Sequence, residues 1–413
     1  MEQIKLQMPA NNFFAEINLP TSKSISNRLL IIRALSGFQT DLQDISEAND
    51  SILLRNILSD LPNNINETKE IDAKDAGTVV RFLTAFLSIQ KGNYILKGST
   101  RMHQRPIRIL VNALQKLGAK IEYLEEDGFL PLLIKGTELK SKKIQIDAHI
   151  SSQYITALLL ISPYLPDGLD IELNQTPSSL PYIDMTLNLM QSFGIIVTRN
   201  GQNINVRKGA YQIKEHRIEA DWSAAAFWYQ CVAFSEKGSL LLKDLSLNSI
   251  QGDAIAATIF TELGVQSTQT DQGVLIEKSN RINYNINLNF KDYPDIALSI
   301  INTCAALGVI GKFSGLNSLK IKESNRVAAL ESELGKLGFD FREVDENEWV
   351  LINSCKVEKK QYDFSNTSIA TYNDHRIAMS FAPFAILGKE LIIQNPNVVD
   401  KSYPHFWKEF KKL

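Results

Sequence analysis

Cysteine is scarce in this chain of 413 residues: Cys231, Cys304 and Cys355 are far apart and never form a CxxC pair. That argues against a disulfide framework and against a structural zinc site. The five histidines never form HExxH, so no zinc-protease helix is encoded. No apolar run reaches the ~18 residues that a membrane span needs, and "MEQIKLQMPA" lacks the basic and apolar regions of a secretory leader. The expectation is a soluble cytoplasmic protein. An excess of one charge is missing too: Lys and Arg number 44 against 46 Asp and Glu, a formal net charge of −2. A general attraction to nucleic acid or to an anionic membrane is therefore not expected, and any cation cluster must be local. GxGxxG and GxSxG do not occur, and "GVIGKFS" fails the P-loop spacing because Ala306 stands where the first glycine belongs. Dinucleotide, P-loop nucleotide and acyl-serine chemistry all lose weight.

What the chain does contain is a recurring pattern. "LQKLGAKIEYL", "LNLMQSFGIIVTR", "FTELGVQSTQT" and "LGKLGFDFREV" each join a helix-like stretch through a glycine to a strand-like run. Gly118, Gly194, Gly264 and Gly338 recur every 70 to 76 residues, the mark of an internal repeat, and about six such units would fill the chain. Each glycine fits the position just past a helix end, where a positive φ is cheap. The expected unit is a mixed α/β module, and the length calls for two or three domains. "NLPTSKS" and "IEADWSAAAFW" break the local pattern near residues 20 and 219 to 221, and no flexible linker occurs, so two close-set crossings between halves are expected.

The chemistry-bearing residues gather at helix entries. "TSKSISNRLLIIRALSG" reads as a helix capped by Ser22 or Ser24, with Lys23 at its entry, Arg28 just over a turn later and Gly37 at its end. "DAGTVVRFLTAFL" opens with Gly77 and Thr78, suited to close backbone approach and capping, and with Arg81 in its first turn. "SSQYITALLL" and "SSLPYIDMTLNLM" open two more, Pro181 fitting a first turn. "KESNRVAALESEL" brings Lys322, Glu323, a Ser324 cap and Arg326. In "TYNDHRIAMS", Asn373 or Asp374 caps a helix ended by Gly388, with His375 and Arg376 at its positive end. Arg101, Arg105 and Lys401 are further isolated cations. Any one such entry could be only a solvated helix end. Six together suggest a dispersed site for a ligand with several negative charges. Asp295 and Glu323 are the carboxylates in suggestive company, although capping and a surface ion pair would also account for them.

"TSKSISNR", "DAGTVVRFL", "RMHQRPI", "SSQYITALLL", "SLPYIDMTLNLM", "KDYPDIA", "LKIKESNR", "YNDHRIAMSF" and "DKSYPHFW" occur in the order found in the 5-enolpyruvylshikimate-3-phosphate synthase family, which the chain resembles from about residue 20 to its C-terminus. The resemblance implies an α/β fold of two domains, each an inside-out barrel of three βαβαββ units with helices buried and sheets outside. Residues 1–20 plus 220–413 would form one domain, with phosphoenolpyruvate-side motifs, and 21–219 the other, with most shikimate-3-phosphate motifs. The active site would lie in the cleft between them. The implied reaction moves the enolpyruvyl group of phosphoenolpyruvate to the 5-hydroxyl of shikimate-3-phosphate, releases phosphate and needs no metal or organic cofactor. A monomer is implied.

By the same resemblance, shikimate-3-phosphate is held by Lys23, Ser24, Arg28, Ser151, Ser152, Gln153, Ser179, Tyr182, Asp295 and Lys322. Phosphoenolpyruvate is held by Lys23, Gly77, Arg101, Gln153, Arg326, His375, Arg376 and Lys401. Asp295 resembles the base and Glu323 the proton donor, with Lys23 a rival for a share of either step. Gly77 would lie against phosphoenolpyruvate and against glyphosate, the inhibitor of the same site. Five positions depart from the family pattern: Asp75 for Asn, Phe82 for Pro, Ser318 for Asn, Asn325 for Asp, and Pro383 within the last long helix, which it should kink. Phe82 leaves glyphosate sensitivity open. The nearest alternative is the transferase acting on UDP-N-acetylglucosamine, whose loop cysteine has no counterpart in "STRMHQRPI"; a non-catalytic anion-binding relative is the other.

Overall fold

The structure, a computed structural model, describes residues 2–7, 12–37, 44–61, 67–147, 151–212, 214–352, 364, 367–388 and 390–413. Two compact units divide the chain. One holds residues 1–22 and 219–413, and the other holds 23–218. The chain leaves and re-enters the first unit through a short hydrogen-bonded pair: Ser22 N–H donates to Glu219 O at 2.8 Å and Asp221 N–H to Pro20 O at 2.9 Å. Asp221 then caps the next helix by accepting from Ala224 N–H at 2.9 Å.

Four four-stranded sheets share one connection. In the 23–218 unit, Thr68–Asp72 runs parallel to Asn93–Lys97, which pairs antiparallel with Leu132–Lys135 and through it with Lys120–Tyr123. Lys143–Ile146, Leu169–Leu173, Asn203–Val206 and Val197–Asn200 repeat this order. In the other unit, Asn285–Asn289, Ile310–Ser314, Glu348–Ile352 and Asp340–Asp345 repeat it again. There too, Asn12–Asn18 pairs parallel with Lys237–Lys243, followed by Gly273–Ile282 and Leu263–Thr270. A three-stranded sheet joins Gln3–Leu6, Leu391–Gln394 and Ser368–Ile369. Among the described residues these are five separate open sheets, and none closes on itself.

Residue choice explains the layering. "KIQI" and "NFFAEIN" alternate buried and exposed side chains, as a strand with one wet face must. Trp222–Phe234 and Ala297–Leu307 are apolar almost all round and are buried along nearly their whole length. A helix of that kind belongs in a core, and each fully buried large side chain there contributes about 1.5–3 kcal/mol. Gly118, Gly194 and Gly338 follow helix ends with φ of 105°, 84° and 85°. Gly264 departs from the expectation. Its helix ends at Thr261, and the glycine lies inside the strand at an irregularity between Leu263 and Val265, so its φ of 83° serves a strand kink. Pro383 breaks the last helix outright into His375–Phe381 and Phe384–Leu387. No described helix is long and apolar enough to cross a membrane.

Candidate active site

In the unit containing residues 219–413, one buried arginine organises the charged side chains. Arg326 opens the helix Arg326–Lys336, which is capped by Asn325 accepting from Ala328 N–H at 3.2 Å rather than by Ser324. Its Nε meets Asp374 Oδ2 at 2.8 Å, Nη2 meets Glu323 Oε2 at 2.8 Å, and Nη1 meets Asp295 Oδ1 at 3.3 Å. Ser324 Oγ donates instead to Asp374 Oδ2 at 3.1 Å. Burial by itself would lower the Arg326 pKa, but Asp374, Glu323 and Asp295 outweigh it and raise the value, so the guanidinium is firmly charged.

Two more cations complete the network. Arg376 Nη2 lies 3.0 Å from Asp295 Oδ2 and its Nη1 donates to the Asp295 carbonyl at 3.0 Å. Lys401 Nζ is 3.8 Å from Glu323 Oε1. Asp374, rather than Asn373, caps the helix His375–Phe381 and accepts from Arg376 N–H at 3.0 Å. His375 is buried beside it, Nδ1 at 3.7 Å from Asp374 Oδ1. Asp295 caps no helix: Ala297–Leu307 starts after Ile296 without a side-chain cap, which leaves the carboxylate for Arg326 and Arg376. Lys322 ends the turn immediately before Glu323. Ser318, at a position where Asn was expected, keeps a buried hydroxyl with no hydrogen-bond partner.

The 23–218 unit presents its groups differently. Arg28, on the helix Lys23–Ser36, donates from Nε to Thr186 Oγ1 at 2.8 Å, from Nη1 to Ser24 O at 2.7 Å and from Nη2 to Tyr182 O at 3.1 Å. These neutral acceptors leave burial dominant, and its pKa is lowered to about 10. The Phe82 ring centroid lies 5.8 Å from the Arg28 guanidinium carbon, a cation–π contact. Lys23 Nζ pairs with Asp50 at 3.2 Å. Neither suggested serine caps this helix: Ser24 lies inside it, and the buried Ser22 hydroxyl has no partner.

Gly77 starts the helix Gly77–Ser88 after Ala76, with no side-chain cap from Thr78. Thr78 Oγ1 instead accepts from Gln153 Nε2 at 3.3 Å, which ties two helix entries together. Ser151 caps the helix Ser152–Ile161 by accepting from Gln153 N–H at 3.3 Å. Ser179, at φ 57°, leads the helix Leu180–Ser192, where Tyr182 N–H donates to its carbonyl at 3.1 Å. Arg101 sits on the exposed short helix Thr100–His103 and bonds Gln104 at 3.3 Å. Arg105 was noted in the sequence only as an isolated cation, yet its guanidinium covers Gly77: a Cβ there would lie 2.7 Å from Nη1.

Sequence reasoning gave Asp374 only a capping role and missed Asp253 altogether. Asp253 is buried, accepts from Ser223 Oγ, and is pushed up to about 7 by burial first and the Asp295 charge second. Cys231 and Cys304 are buried, which pushes both thiols up and away from reactivity; Cys355 lies outside the described residues. No cluster of three or more His, Cys, Asp or Glu side chains fit for a metal occurs among the described residues.

These features define a class before a family: a mixed α/β chain of two units with cations and carboxylates concentrated at helix entries. Its fold is that of solved EPSP synthases. One from Acinetobacter baumannii aligns at a TM-score of 0.79 over 100% of this chain and 98% of that one, at 20% identity, and a second from that organism at 0.78.

The chain belongs to the EPSP synthase (3-phosphoshikimate 1-carboxyvinyltransferase) family, which it matches over residues 8–410. It is 42% identical over 400 residues to a 3-phosphoshikimate 1-carboxyvinyltransferase of Bacteroides fragilis, covering 96% of this chain and 95% of that protein. A namesake from Histophilus somni is 33% identical over 440 residues, covering 100% and 99%.

Proposed function

We propose that this protein transfers the enolpyruvyl group of phosphoenolpyruvate to the 5-hydroxyl of shikimate-3-phosphate and releases phosphate, without metal or organic cofactor. The observation that carries this reading is the bracketing of two carboxylates by cations in a chain of this family. Asp295 lies between Arg326 and Arg376, and Glu323 between Arg326 and Lys401. Such a cluster can take up a multiply charged anion and move protons beside it.

In this reading Asp295 removes the proton of the 5-hydroxyl as the oxygen attacks C2 of phosphoenolpyruvate, and Glu323 delivers a proton to the methylene carbon. The product of addition is a tetrahedral intermediate. Loss of phosphate from C2 and of a proton from the methyl group restores the enol ether. Lys23 shares one of these proton movements or supports its charge. Arg326, Arg376, Lys401 and Arg101 hold phosphoenolpyruvate, with His375, Gln153 and the Gly77 backbone. Lys23, Ser24, Arg28, Ser151, Ser152, Gln153, Ser179, Tyr182, Asp295 and Lys322 hold shikimate-3-phosphate.

The finer architecture in this reading is three βαβαββ units per domain, arranged as an inside-out barrel, in a monomer. Four sheets with a shared strand order and helices buried along their length support the repeat.

Phosphate release from phosphoenolpyruvate is the test, measured with shikimate-3-phosphate, with UDP-N-acetylglucosamine and with no acceptor. Release only with the first is expected, and it should survive a chelator. Release with the second instead would reassign the acceptor, and release with neither would remove the activity.

A further inference from the structure

Glu333 has no part in the reaction as read above, yet it is a fully buried carboxylate on the same helix as Arg326. Its Oε2 accepts from Ala370 N–H at 3.2 Å and Lys336 Nζ at 2.6 Å, and its Oε1 accepts from the Tyr372 hydroxyl at 2.6 Å. A carboxylate is the side chain that can accept from all three donors at once, and Lys336 supplies the countercharge. Tyr372 and Asn373 follow with φ of 52° and 54°, a left-handed backbone that such residues adopt when their surroundings hold them there. This two-residue turn delivers the chain to Asp374, His375 and Arg376. Asn373 Oδ1 in turn accepts from Asn395 Nδ2 at 2.8 Å. Asn395, also left-handed at φ 45°, leads the short helix Pro396–Lys401. One connected set of bonds thus joins the three elements that carry Arg326, Arg376 and Lys401.

We propose that Glu333 and Tyr372 are positioning residues, whose bond fixes the turn so that Arg376 and Lys401 stand at set distances from Arg326 and meet one phosphate- and carboxylate-bearing substrate together. The proposal rests on the reading of those three cations as phosphoenolpyruvate holders. Tyr372 touches no substrate in it. Tyr372 is 42% exposed as a residue, so Tyr372→Phe removes one hydroxyl without opening the core. Glu333→Gln keeps the shape but sets an NH2 group against one of the donors.

The full chain is assayed for both Michaelis constants, turnover and thermal midpoint. Tyr372→Phe is expected to raise the phosphoenolpyruvate Michaelis constant about 10-fold. Turnover, the shikimate-3-phosphate constant and the midpoint should change little. Glu333→Gln should act in the same direction, and the double variant should be no worse than the worse single one, because both remove the same bond. A phosphoenolpyruvate constant within twofold of the parent in Tyr372→Phe overturns the proposal, as does a parallel loss of both constants and of the midpoint. Arg376→Gln separates the levels. If it weakens phosphoenolpyruvate while Tyr372→Phe does not, the bracing alone fails; if it leaves phosphoenolpyruvate unaffected, the reading beneath fails with it.

Discussion

Arg28 in one unit and Arg326 in the other are both buried guanidiniums near helix entries, but they keep opposite company. Arg28 is surrounded by hydroxyls, carbonyls and an aromatic face, and its pKa falls to about 10. Arg326 faces three carboxylates, and its pKa rises. The charge on Arg28 is thus met by neutral groups rather than by carboxylates. Around Arg326 the charge is already matched, so an arriving anion must share the cations with Asp295 and Glu323. Competition of that kind favours the protonated form of the carboxylates. A binding pocket needs the first arrangement; a site that must also carry protons is served by the second.

Removing each arginine should separate the two cases most sharply. Arg326→Met strands the buried Asp374 and takes one of two cations from Asp295 and from Glu323, and is expected to cost about 3–5 kcal/mol of stability near pH 8. The deficit should shrink toward pH 5 as the stranded groups take up protons. Arg28→Met leaves neutral acceptors unpaired, costing about 1–3 kcal/mol with no such pH dependence. Denaturant unfolding at the two pH values measures both, and equal pH dependence would erase the distinction.

Turnover tests the role of the matched carboxylates. Asp295→Asn and Glu323→Gln should each lower it at least about 100-fold, with smaller changes in Michaelis constants, as expected for general acid–base groups. Near-normal phosphate release by either variant removes that residue from the scheme.

A smaller effect is expected at Asp253. Its folded pKa is raised from 3.8 to about 7, so the folded state holds this proton more tightly than the unfolded chain. The associated stability is complete below pH 3.8 and is lost as pH climbs through 7. Asp253→Asn should therefore raise the thermal midpoint at pH 8 relative to the parent, by roughly 1–2 kcal/mol in stability. The advantage should vanish on acidification, and a lower midpoint at pH 8 would show that the ionised carboxylate is needed.

Gly77→Ala should perturb the molecule least. The added methyl meets the end of the flexible Arg105 side chain, so backbone movement is not required and the thermal midpoint should hold. The ratio of the glyphosate inhibition constant to the phosphoenolpyruvate Michaelis constant is expected to rise, because the longer ligand loses more space. An unchanged or lower ratio would detach Gly77 from the ligand.

The features legible in the sequence were those with local causes. Ser151 and Asp374 cap helices through bonds to residues two positions on, and the glycines at 118, 194 and 338 follow directly from helix ends. Features set by distant packing were not legible. Asp374 reaches Arg326 across 48 residues, and Tyr372 reaches Glu333 across 39. Asp253 draws its meaning from Ser223 and Asp295, neither near it in sequence. Phe82 departs from the family pattern in sequence, and its contact with Arg28, 54 residues away, is set by packing. Ser22 and Thr78 show the limit of cap rules, since neither hydroxyl caps the helix it was expected to open.

The pairing of Gln3 with Gln394 and of Asn12 with Lys237 bears on how the chain is made. On a ribosome the strand 12–18 emerges early but must wait through synthesis of the whole contiguous 23–218 unit before its parallel partner exists. The strand 3–6 waits almost until the end. The 23–218 unit is contiguous, whereas its partner unit depends on long-range pairings, the last of which must wait for residues 391–394, the slower and more aggregation-exposed kind of step. Stalling or truncating synthesis before residue 391 would leave one unit able to fold and the other with an unpaired edge.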